Sequence, residues 1–284
     1  DLKYIVAKND DIHKEIDAWF NHQKTKIECL FDKVDGEFIK FKRNAQKEVN
    51  YLVKEFECRK AADSYARATT ARTGILNTSK LHTYKYNEDL FKKVSILPDG
   101  KNHGLIFILD WSGSMSRVML DTIKQLYNLI WFCKKVSIPF EVYAFTNEWN
   151  RPMVDYETGE IIKPANLTCS NEKKENLLSV SEEFSLMNLL TSKTNGKQLD
   201  HQMINIWRIA KAFSNYYGAP YSVPHRLSLS GTPLNEAFVC LHQILPKFQK
   251  ENKLQKVQCI VLTVKQIIFL VTLRYNVPGR ALLS

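Results

Sequence analysis

The first part of the chain, residues 11 to 68, has apolar residues at steps of three and four with charged residues between them. This spacing places the apolar side chains on one face of an α-helix. Asp35-Gly36 is the best candidate for an interruption, because glycine is a poor helix former. The pattern therefore predicts a helical arm over residues 1 to 68 that contains two long helices. The apolar positions are Ile12, Ile16, Trp19, Ile27, Leu30, Val34, Phe38, Val49, Leu52, Val53 and Phe56.

A different pattern begins at residue 104, where GLIFILD forms a nearly continuous apolar run of strand length. Such a run is typical of a central strand that is covered on both faces. A helical stripe follows and stops before Pro139, and FEVYAFT at 140 to 146 reads as a second strand. A strand, a helix and a second strand in this order form a parallel β-α-β unit. The stripe consists of Met119, Ile123, Leu126, Ile130 and Cys133.

The same alternation returns near the end of the chain. Residues 233 to 249 have helical spacing, and KVQCIVLT at 256 to 263 has the composition of a strand. The sequence thus predicts the α/β class, with a doubly wound and mostly parallel sheet behind the amino-terminal helical region. This domain is expected to span residues 104 to 263.

Three further segments complete the predicted organisation. Residues 69 to 103 are expected to be a connector, since they combine polar and aromatic residues with a Pro98-Asp99-Gly100 turn. Residues 147 to 230 are expected to be an insertion in the domain. Residues 264 to 284 form an atypical tail without the alternation of strand and helix.

Local signals within the insertion predict three elements. Thr158-Gly159 is expected at the turn of a hairpin. Ser179 and Glu182 have the spacing of a capping box, which predicts a short helix after them. The segment MINIWRIAKAF, residues 203 to 213, predicts a longer amphipathic helix.

The composition is that of an ordinary globular chain, with 44% hydrophobic and 25% charged residues among 284. The formal charge of +10 is the deviation, and it suggests an anionic partner. The basic cluster KFKR at 40 to 43 reads as a solvated helix face rather than a nucleic-acid site. No run approaches the roughly 20 apolar residues of a membrane span, so no membrane is expected.

The cysteines and the start of the chain suggest where the protein works. Six cysteines are scattered without a CxxC pair, and several lie within apolar patterns, so a reducing cytoplasm is expected. Cys133 on the apolar stripe is expected to be unreactive. The chain begins with Asp1 and shows no signal peptide, which suggests a fragment or a processed start.

The loop DWSGSMS, residues 110 to 116, follows the first strand directly. Ligands of open parallel sheets bind outside the carboxyl ends of the strands. Asp110, Ser112 and Ser114 at alternating positions can direct three oxygens to one point, and such a set suits a hard cation, best Mg²⁺. The alternative is equally open at this stage, because Asp, Ser and Gly are also common in turns and helix caps.

A second segment, SGTPL at 230 to 234, favours the cation site. Thr232 precedes Pro233 at the start of a predicted helix, where a β-α-β connection reaches the same edge of the sheet. Its hydroxyl would be a fourth oxygen, and it is also expected to cap the helix.

DWSGSM followed by SGTPL resembles the Asp-x-Ser-x-Ser … Thr pattern of von Willebrand factor A domains, the metal-ion-dependent adhesion site. The segment ARTGILNTSKLHTYKYNEDLF and the later VYAFTNEW are similar to the carboxy-terminal A domain of the cobaltochelatase T subunit, of a type encoded by tailed bacteriophages. The resemblance covers roughly residues 65 to 263. Its loop motif is specific, whereas the subfamily depends on softer features.

The resemblance implies a site and its partners. Asp110, Ser112, Ser114 and Thr232 would be the metal ligands, and a carboxylate from a partner protein would complete the shell. The implied partner is a ring-forming AAA+ ATPase subunit, with a large chelatase subunit as a further one. The chain would be a non-catalytic subunit of a cobaltochelatase-like complex of cobalamin biosynthesis, in a host cytoplasm if phage-encoded.

The chain departs from the family pattern after the last strand. A domains supply a second aspartate in a Thr-Asp-Gly-like context, whereas Val264 follows Thr263 here. The expectations are a truncated or frame-disrupted end, with the carboxy-terminal part of the fold incomplete, or a natural variant with a degenerate site. Either reduces metal affinity.

Two other function classes remain as alternatives. A basic nucleic-acid- or virion-associated phage protein would use the +10 charge, and its affinity would fall steeply with salt. A metal-dependent hydrolase has the least support, because no general base is placed near the loop. The GxSxG elbow, the Walker A loop and the HExxH pattern are all missing from the sequence.

Overall fold

The computed structural model of the chain describes residues 2–26, 30–66, 69–76, 80, 85, 91–96, 102–151, 153–154, 158–163, 183–214, 220–263 and 270–273. The chain forms two compact units, one of residues 1–49 with 102–284 and one of residues 50–101.

The first unit contains a six-stranded sheet with helices on its faces, as the sequence predicts. Its strands are β1 Val6–Ala7, β4 His103–Asp110, β5 Phe140–Thr146, β8 Ser185–Thr191, β9 Lys256–Leu262 and β10 Leu270–Leu273, in the order β1-β8-β5-β4-β9-β10. β4 pairs in parallel with β5 and β9, and β1 pairs in parallel with β8. The pairs β5-β8 and β9-β10 are antiparallel. The fold is therefore α/β with a mostly parallel sheet.

Helices cover the sheet because the central strands are apolar on both sides. Ile106 and Ile108 of β4 pack in one core cluster with residues of α6, Leu234–Glu251. Phe107 and Leu109 alternate to the other face and are also fully buried. The remaining helices of this unit are α1 Leu2–Ile5, α2 Asn9–Lys26, the first half of α3 Asp32–Ala66, α4 Met119–Lys135 and α5 Gly196–Ser214.

The predicted stripe of α4 is confirmed. Its five apolar positions are all buried, together with Tyr127 and Trp131. The predicted strands at 104 to 110, 140 to 146 and 256 to 263 are also present, and their ends agree with the prediction within one residue. The helix predicted at 203 to 213 is present but longer, since it runs from Gly196 to Ser214.

The predicted interruption at Asp35-Gly36 is wrong, because α3 runs through it from Asp32. The chain turns earlier, at Leu30 and Phe31. Asp35 instead accepts two hydrogen bonds from Arg208 of α5, Nε to Oδ1 at 2.8 Å and Nη2 to Oδ2 at 2.6 Å. A tertiary ion pair holds this turn of the helix, and local propensity alone does not decide where the helix begins.

Helices α1 and α2 and the first half of α3 belong to the first unit. Ile12 and Ile16 of α2 are fully buried, and α2 packs on β8 and α5. The first unit comprises residues 1–49 and 102–284, whereas the sequence predicts domain boundaries at residues 68 and 103. An apolar stripe in the sequence predicts that one face of a helix is buried, but it does not identify the element that covers that face.

The insertion contains one strand that the sequence did not predict. The hairpin around Gly159 is confirmed, since β6 Met153–Val154 and β7 Ile161–Lys163 pair antiparallel and Gly159 has φ of 73°. Ser179 and Glu182 lie outside the described residues. The chain that follows them is β8 of the sheet instead of a short helix. The run SLMNLLT is buried on both faces, and such a run has no period that separates strand from helix.

The second unit contains the end of α3 and two antiparallel strands, β2 Thr69–Leu76 and β3 Phe91–Ile96. Thr69 lies opposite Ile96. The segment expected to be a connector thus forms a strand pair of its own. Among the described residues, no helix combines the length and the apolar character needed to cross a bilayer.

Candidate metal centre

Three central strands of the sheet end side by side. β4 lies between β5 and β9, and all three run in the same direction. Asp110 is the last residue of β4, Thr146 is the last of β5, and Thr263 follows β9 directly. Polar side chains therefore gather at one edge of the sheet, which is where ligands bind in open parallel folds.

The loop after β4 is anchored by its apolar members. Trp111 is fully buried, and its indole N–H donates to the carbonyl of Leu227 at 2.8 Å. Met115, at the end of a 3-10 turn that begins at Gly113, is also fully buried. These two anchors fix the backbone between them, so the hydroxyls of Ser112 and Ser114 have restricted positions.

A distant segment lies parallel to this loop. Ser112 and Ser230 form a parallel bridge, in which the Gly113 N–H donates to the Ser230 carbonyl at 3.0 Å. The Ser230 N–H donates in turn to the carbonyl of Trp111 at 3.3 Å. Thr232 lies two residues further along this segment. The structure thus brings the two predicted sequence motifs side by side.

The oxygens of the loop are close to one another. The hydroxyls of Ser112 and Ser114 lie 3.0 Å apart. Asp110 Oδ1 accepts the Ser112 N–H at 3.0 Å, and Oδ2 accepts the Thr263 hydroxyl at 2.9 Å. Both carboxylate oxygens are therefore oriented, and Asp110 is 98% buried, with a relative exposure of 2%.

This arrangement fits a hard divalent cation. Two ligands in adjacent positions of an octahedral Mg²⁺, each about 2.1 Å from the ion, lie about 3.0 Å apart. The two serine hydroxyls are hydrogen-bonded to each other at 3.0 Å, so they are close enough for both to contact one ion. Ser114 and Thr232 are exposed, whereas Asp110 and Ser112 are buried, so the loop is accessible from one side.

Thr232 is the least constrained of the four predicted ligands. The predicted capping role is wrong, because α6 begins at Leu234 with Pro233 at its cap and has no side-chain hydrogen bond there. The Leu234 N–H donates instead to the backbone carbonyl of Thr232 at 2.9 Å. Thr232 follows the bridged Ser230 by two residues, and its position as the fourth ligand stays a prediction.

Sequence reasoning missed three hydroxyl residues at this edge. Ser230 Oγ accepts the N–H of Asn147 at 3.2 Å and lies 3.5 Å from Thr146 Oγ1. Thr263 holds Asp110, although the sequence drew attention to it only as the residue before the missing aspartate. The available signal was that Thr146 and Thr263 are the last residues of predicted strands and that Ser230 opens the SGTPL segment.

Carboxylates are scarce around the site. Among the described residues, no three histidine, cysteine, aspartate or glutamate side chains are grouped to hold a metal ion. Glu148, two residues after Thr146, is 8% exposed and pairs with Arg151 at 2.8 Å. Burial raises the pKa of Glu148, while Arg151 opposes that rise. The predicted site therefore has one carboxylate, Asp110, and otherwise hydroxyls.

Burial makes the cysteines of the core unreactive. Cys133, Cys240 and Cys259 are buried free thiols. Burial raises the pKa of Cys133 and of Cys259 to about 12, so the thiolate that reacts is scarcely populated at neutral pH. This confirms the expectation for Cys133.

Comparisons with protein-family models, with curated proteins and with solved structures give no match to this chain.

Proposed function

We propose that this chain is a Mg²⁺-dependent protein-binding subunit, whose cation is held by Asp110, Ser112, Ser114 and Thr232. The observation that carries the proposal is the parallel bridge between Ser112 and Ser230, which aligns the two motifs beside a buried aspartate. A bound Mg²⁺ would supply a Lewis-acidic position that a partner carboxylate can occupy. The protein itself orients oxygens and carries out no bond chemistry.

The roles of the four residues follow from their surroundings. Asp110 supplies the negative charge, and its hydrogen bonds from Ser112 and Thr263 hold the carboxylate in one orientation. Ser112 and Ser114 supply neutral oxygens, which leave most of the ion's charge uncompensated. A site with one protein carboxylate therefore favours an anionic group from outside.

The proposed partner follows from the resemblance described for the sequence. It is an AAA+ ATPase subunit that presents an acidic side chain, with a large chelatase subunit as a further member of the complex. The chain would act as an assembly subunit between them.

The metal is tested on the isolated chain by thermal unfolding with millimolar Mg²⁺ or with EDTA. A cation that binds only the folded state raises the midpoint of unfolding. We expect a rise for the wild type and none for Asp110→Asn. Asp121→Asn on α4 is the matched control, because Asp121 is exposed and pairs only with Lys124 among the described contacts. An equal rise in the wild type and Asp110→Asn would refute the site.

The partner is tested by complex formation with a purified AAA+ ATPase subunit in analytical ultracentrifugation. The complex is expected with Mg²⁺, and both EDTA and Asp110→Asn should dissolve it. A complex that is indifferent to both changes would exclude the metal-bridged interface even if the cation itself binds.

A second candidate function is supported by the formal charge of +10. A nucleic-acid- or virion-associated protein would bind polyanions with an affinity that falls steeply with salt. Titration of duplex DNA at several salt concentrations in EDTA distinguishes the two functions. A steep salt dependence that persists without divalent ions would favour this second function.

A further inference from the structure

A cavity of about 550 Å³ lies at the other end of β5 from the candidate metal centre. Its walls come from α1, β1, strands β5 and β8 and the second half of α6. Glu141, near the start of β5, lines it, whereas Thr146 of the metal centre ends the same strand. Cavities of about 300–1,000 Å³ are the usual size for small-molecule sites.

The floor of the cavity is a buried polar network. Glu141 is 6% exposed, and its Oε2 accepts hydrogen bonds from the Tyr143 hydroxyl and, at 3.1 Å, from Asn188 Nδ2. Lys193 Nζ lies 3.6 Å from Glu141 Oε1 and donates to Glu251 Oε2 at 2.8 Å. Both carboxylates of the cavity are thus already paired with the protein's own donors.

One acceptor in this network is left over. Asn188 Oδ1 is buried and has no hydrogen-bond partner among the described residues. A buried amide oxygen without a donor is unfavourable, because it has lost its contact with water. Asn188 lines the cavity, but its Oδ1 has no accessible surface, so a ligand in the cavity would instead meet the lysines and the apolar wall.

The charge of the lining is positive. Four lysines, Lys3, Lys8, Lys193 and Lys247, line the cavity together with only Glu141 and Glu251. Lys193 lies between the two glutamates, and Lys3, Lys8 and Lys247 are exposed. The positive charge is therefore concentrated at the surface, where a ligand's anionic group can remain partly solvated.

The rest of the wall is apolar. Leu2 and Val6 line the cavity and are partly exposed, whereas Ile244, Phe248 and Tyr143 behind them are already buried in the core. A ligand body that covers Leu2 and Val6 gains by removing their apolar surface from water. An inorganic anion such as phosphate would leave this wall uncovered.

We propose that this cavity binds a small organic anion, whose apolar body contacts Leu2 and Val6 and whose acidic group lies between Lys8 and Lys247. The site is separate from the proposed metal centre, and it holds whether or not that centre binds Mg²⁺.

The test uses anilinonaphthalene sulfonate, which combines aromatic rings with an anionic group, and the measurement is its fluorescence. The wild type is expected to bind one equivalent saturably. The double variant Lys8→Glu/Lys247→Glu should weaken binding about tenfold or more, because two favourable charges become unfavourable. Lys250→Glu is the matched control, since Lys250 is exposed on the same helix but does not line the cavity.

Three results would overturn the proposal. These are no saturable binding to the wild type, equal affinity in the double variant, or an equal loss in Lys250→Glu. Inorganic phosphate should compete poorly with the probe, and competition at similar concentrations would mean that the apolar wall is not used. Asp110→Asn should bind the probe like the wild type, which separates this site from the metal centre.

Discussion

Each carboxylate oxygen of Asp110 accepts one hydrogen bond, and the two bonds together orient the side chain. One of the donors is Thr263, the residue directly after β9. The Thr263 hydroxyl donates to Oδ2 at 2.9 Å, across 153 positions of the sequence. A hydroxyl at this edge cannot supply charge, but it can orient the carboxylate that does.

Thr263→Val should therefore weaken Mg²⁺ binding about tenfold, at the low end of the usual effect of removing such a hydrogen bond. The measurement is isothermal titration with MgCl₂. Thr122→Val on α4 is the control, because its hydroxyl donates only to the carbonyl of Val118 in the described contacts. Unchanged affinity in Thr263→Val would show that Asp110 needs no orientation by Thr263.

His13 is a buried histidine whose protonation is opposed by its surroundings. It is 5% exposed, and its Nε2–H donates to the carbonyl of Leu189 at 2.7 Å. Burial lowers the pKa of His13 from its usual 6.5 to about 4. The Leu189 carbonyl, Asp17 and Asp10 act in the opposite direction, and His201 adds to the lowering.

The unfolding free energy should consequently decrease as the pH falls from 6.5 to 4. In this interval the unfolded chain binds a proton at His13 and the folded chain does not, so proton uptake favours unfolding. The loss from this residue is at most about 3 kcal/mol. We expect His13→Gln, which keeps a donor for Leu189, to have a flatter pH dependence in urea unfolding. His242→Gln, at an exposed histidine of α6, should keep the wild-type slope.

At the scale of elements, substitution by alanine is expected to have opposite effects on stability at two glycines, because their neighbours differ. Gly104 lies in β4, where a Cβ would contact Leu254 Cδ1 and lie 2.8 Å from Phe248 Cε1. Gly36 lies within α3, where a Cβ would meet no atom within 4 Å. β4 thus packs closely against the residues around the end of α6, whereas α3 is open at Gly36.

Gly104→Ala should lower the unfolding free energy by about 1–3 kcal/mol, because the extra methyl group overpacks the core. Gly36→Ala should raise it by about 0.5–1 kcal/mol, because alanine costs less entropy in a helix. Urea unfolding followed by circular dichroism measures both. A gain at Gly104 or a loss at Gly36 would contradict the packing described for these two elements.

At the scale of the whole molecule, an ion pair connects helix α2 to the loop that precedes Ser230. Arg226 Nη1 donates to Glu15 Oε2 of α2 at 2.8 Å, and both side chains are below 10% exposed. Arg226 Nε donates to the carbonyl of Trp149 at 2.6 Å, and its guanidinium lies 4.2 Å from the centre of that ring. Two loops at the site's end of the sheet are thus connected to α2.

Glu15→Gln should cost about 3 kcal/mol of unfolding free energy, because it leaves the charge of Arg226 buried without its counterion. The control is Glu37→Gln, which breaks a pair between α3 and Lys211 of α5. Both of its side chains are partly exposed, so the expected cost is below about 1 kcal/mol. Equal costs in urea unfolding would mean that burial does not strengthen the pair at Glu15.

The secondary structure around the site was predictable from local composition and spacing. The runs that form β4, β5 and β9 are rich in aromatic or β-branched residues, and α4 and α6 have helical stripes. The strand β8 was not predicted, since the leucines and methionine of SLMNLLT suit a helix equally well and its burial has no period. Its antiparallel pairing with β5 is decided by the sheet into which it inserts.

The sequence by itself determined the α/β class and the loop of Asp110, Ser112 and Ser114 at a strand end, because both depend on neighbours along the chain. Only the tertiary structure decided that Ser230 pairs with Ser112, that Thr263 holds Asp110 and that α3 continues through Gly36. These features depend on contacts between residues far apart in sequence, and a local sequence pattern does not show how strong such contacts are.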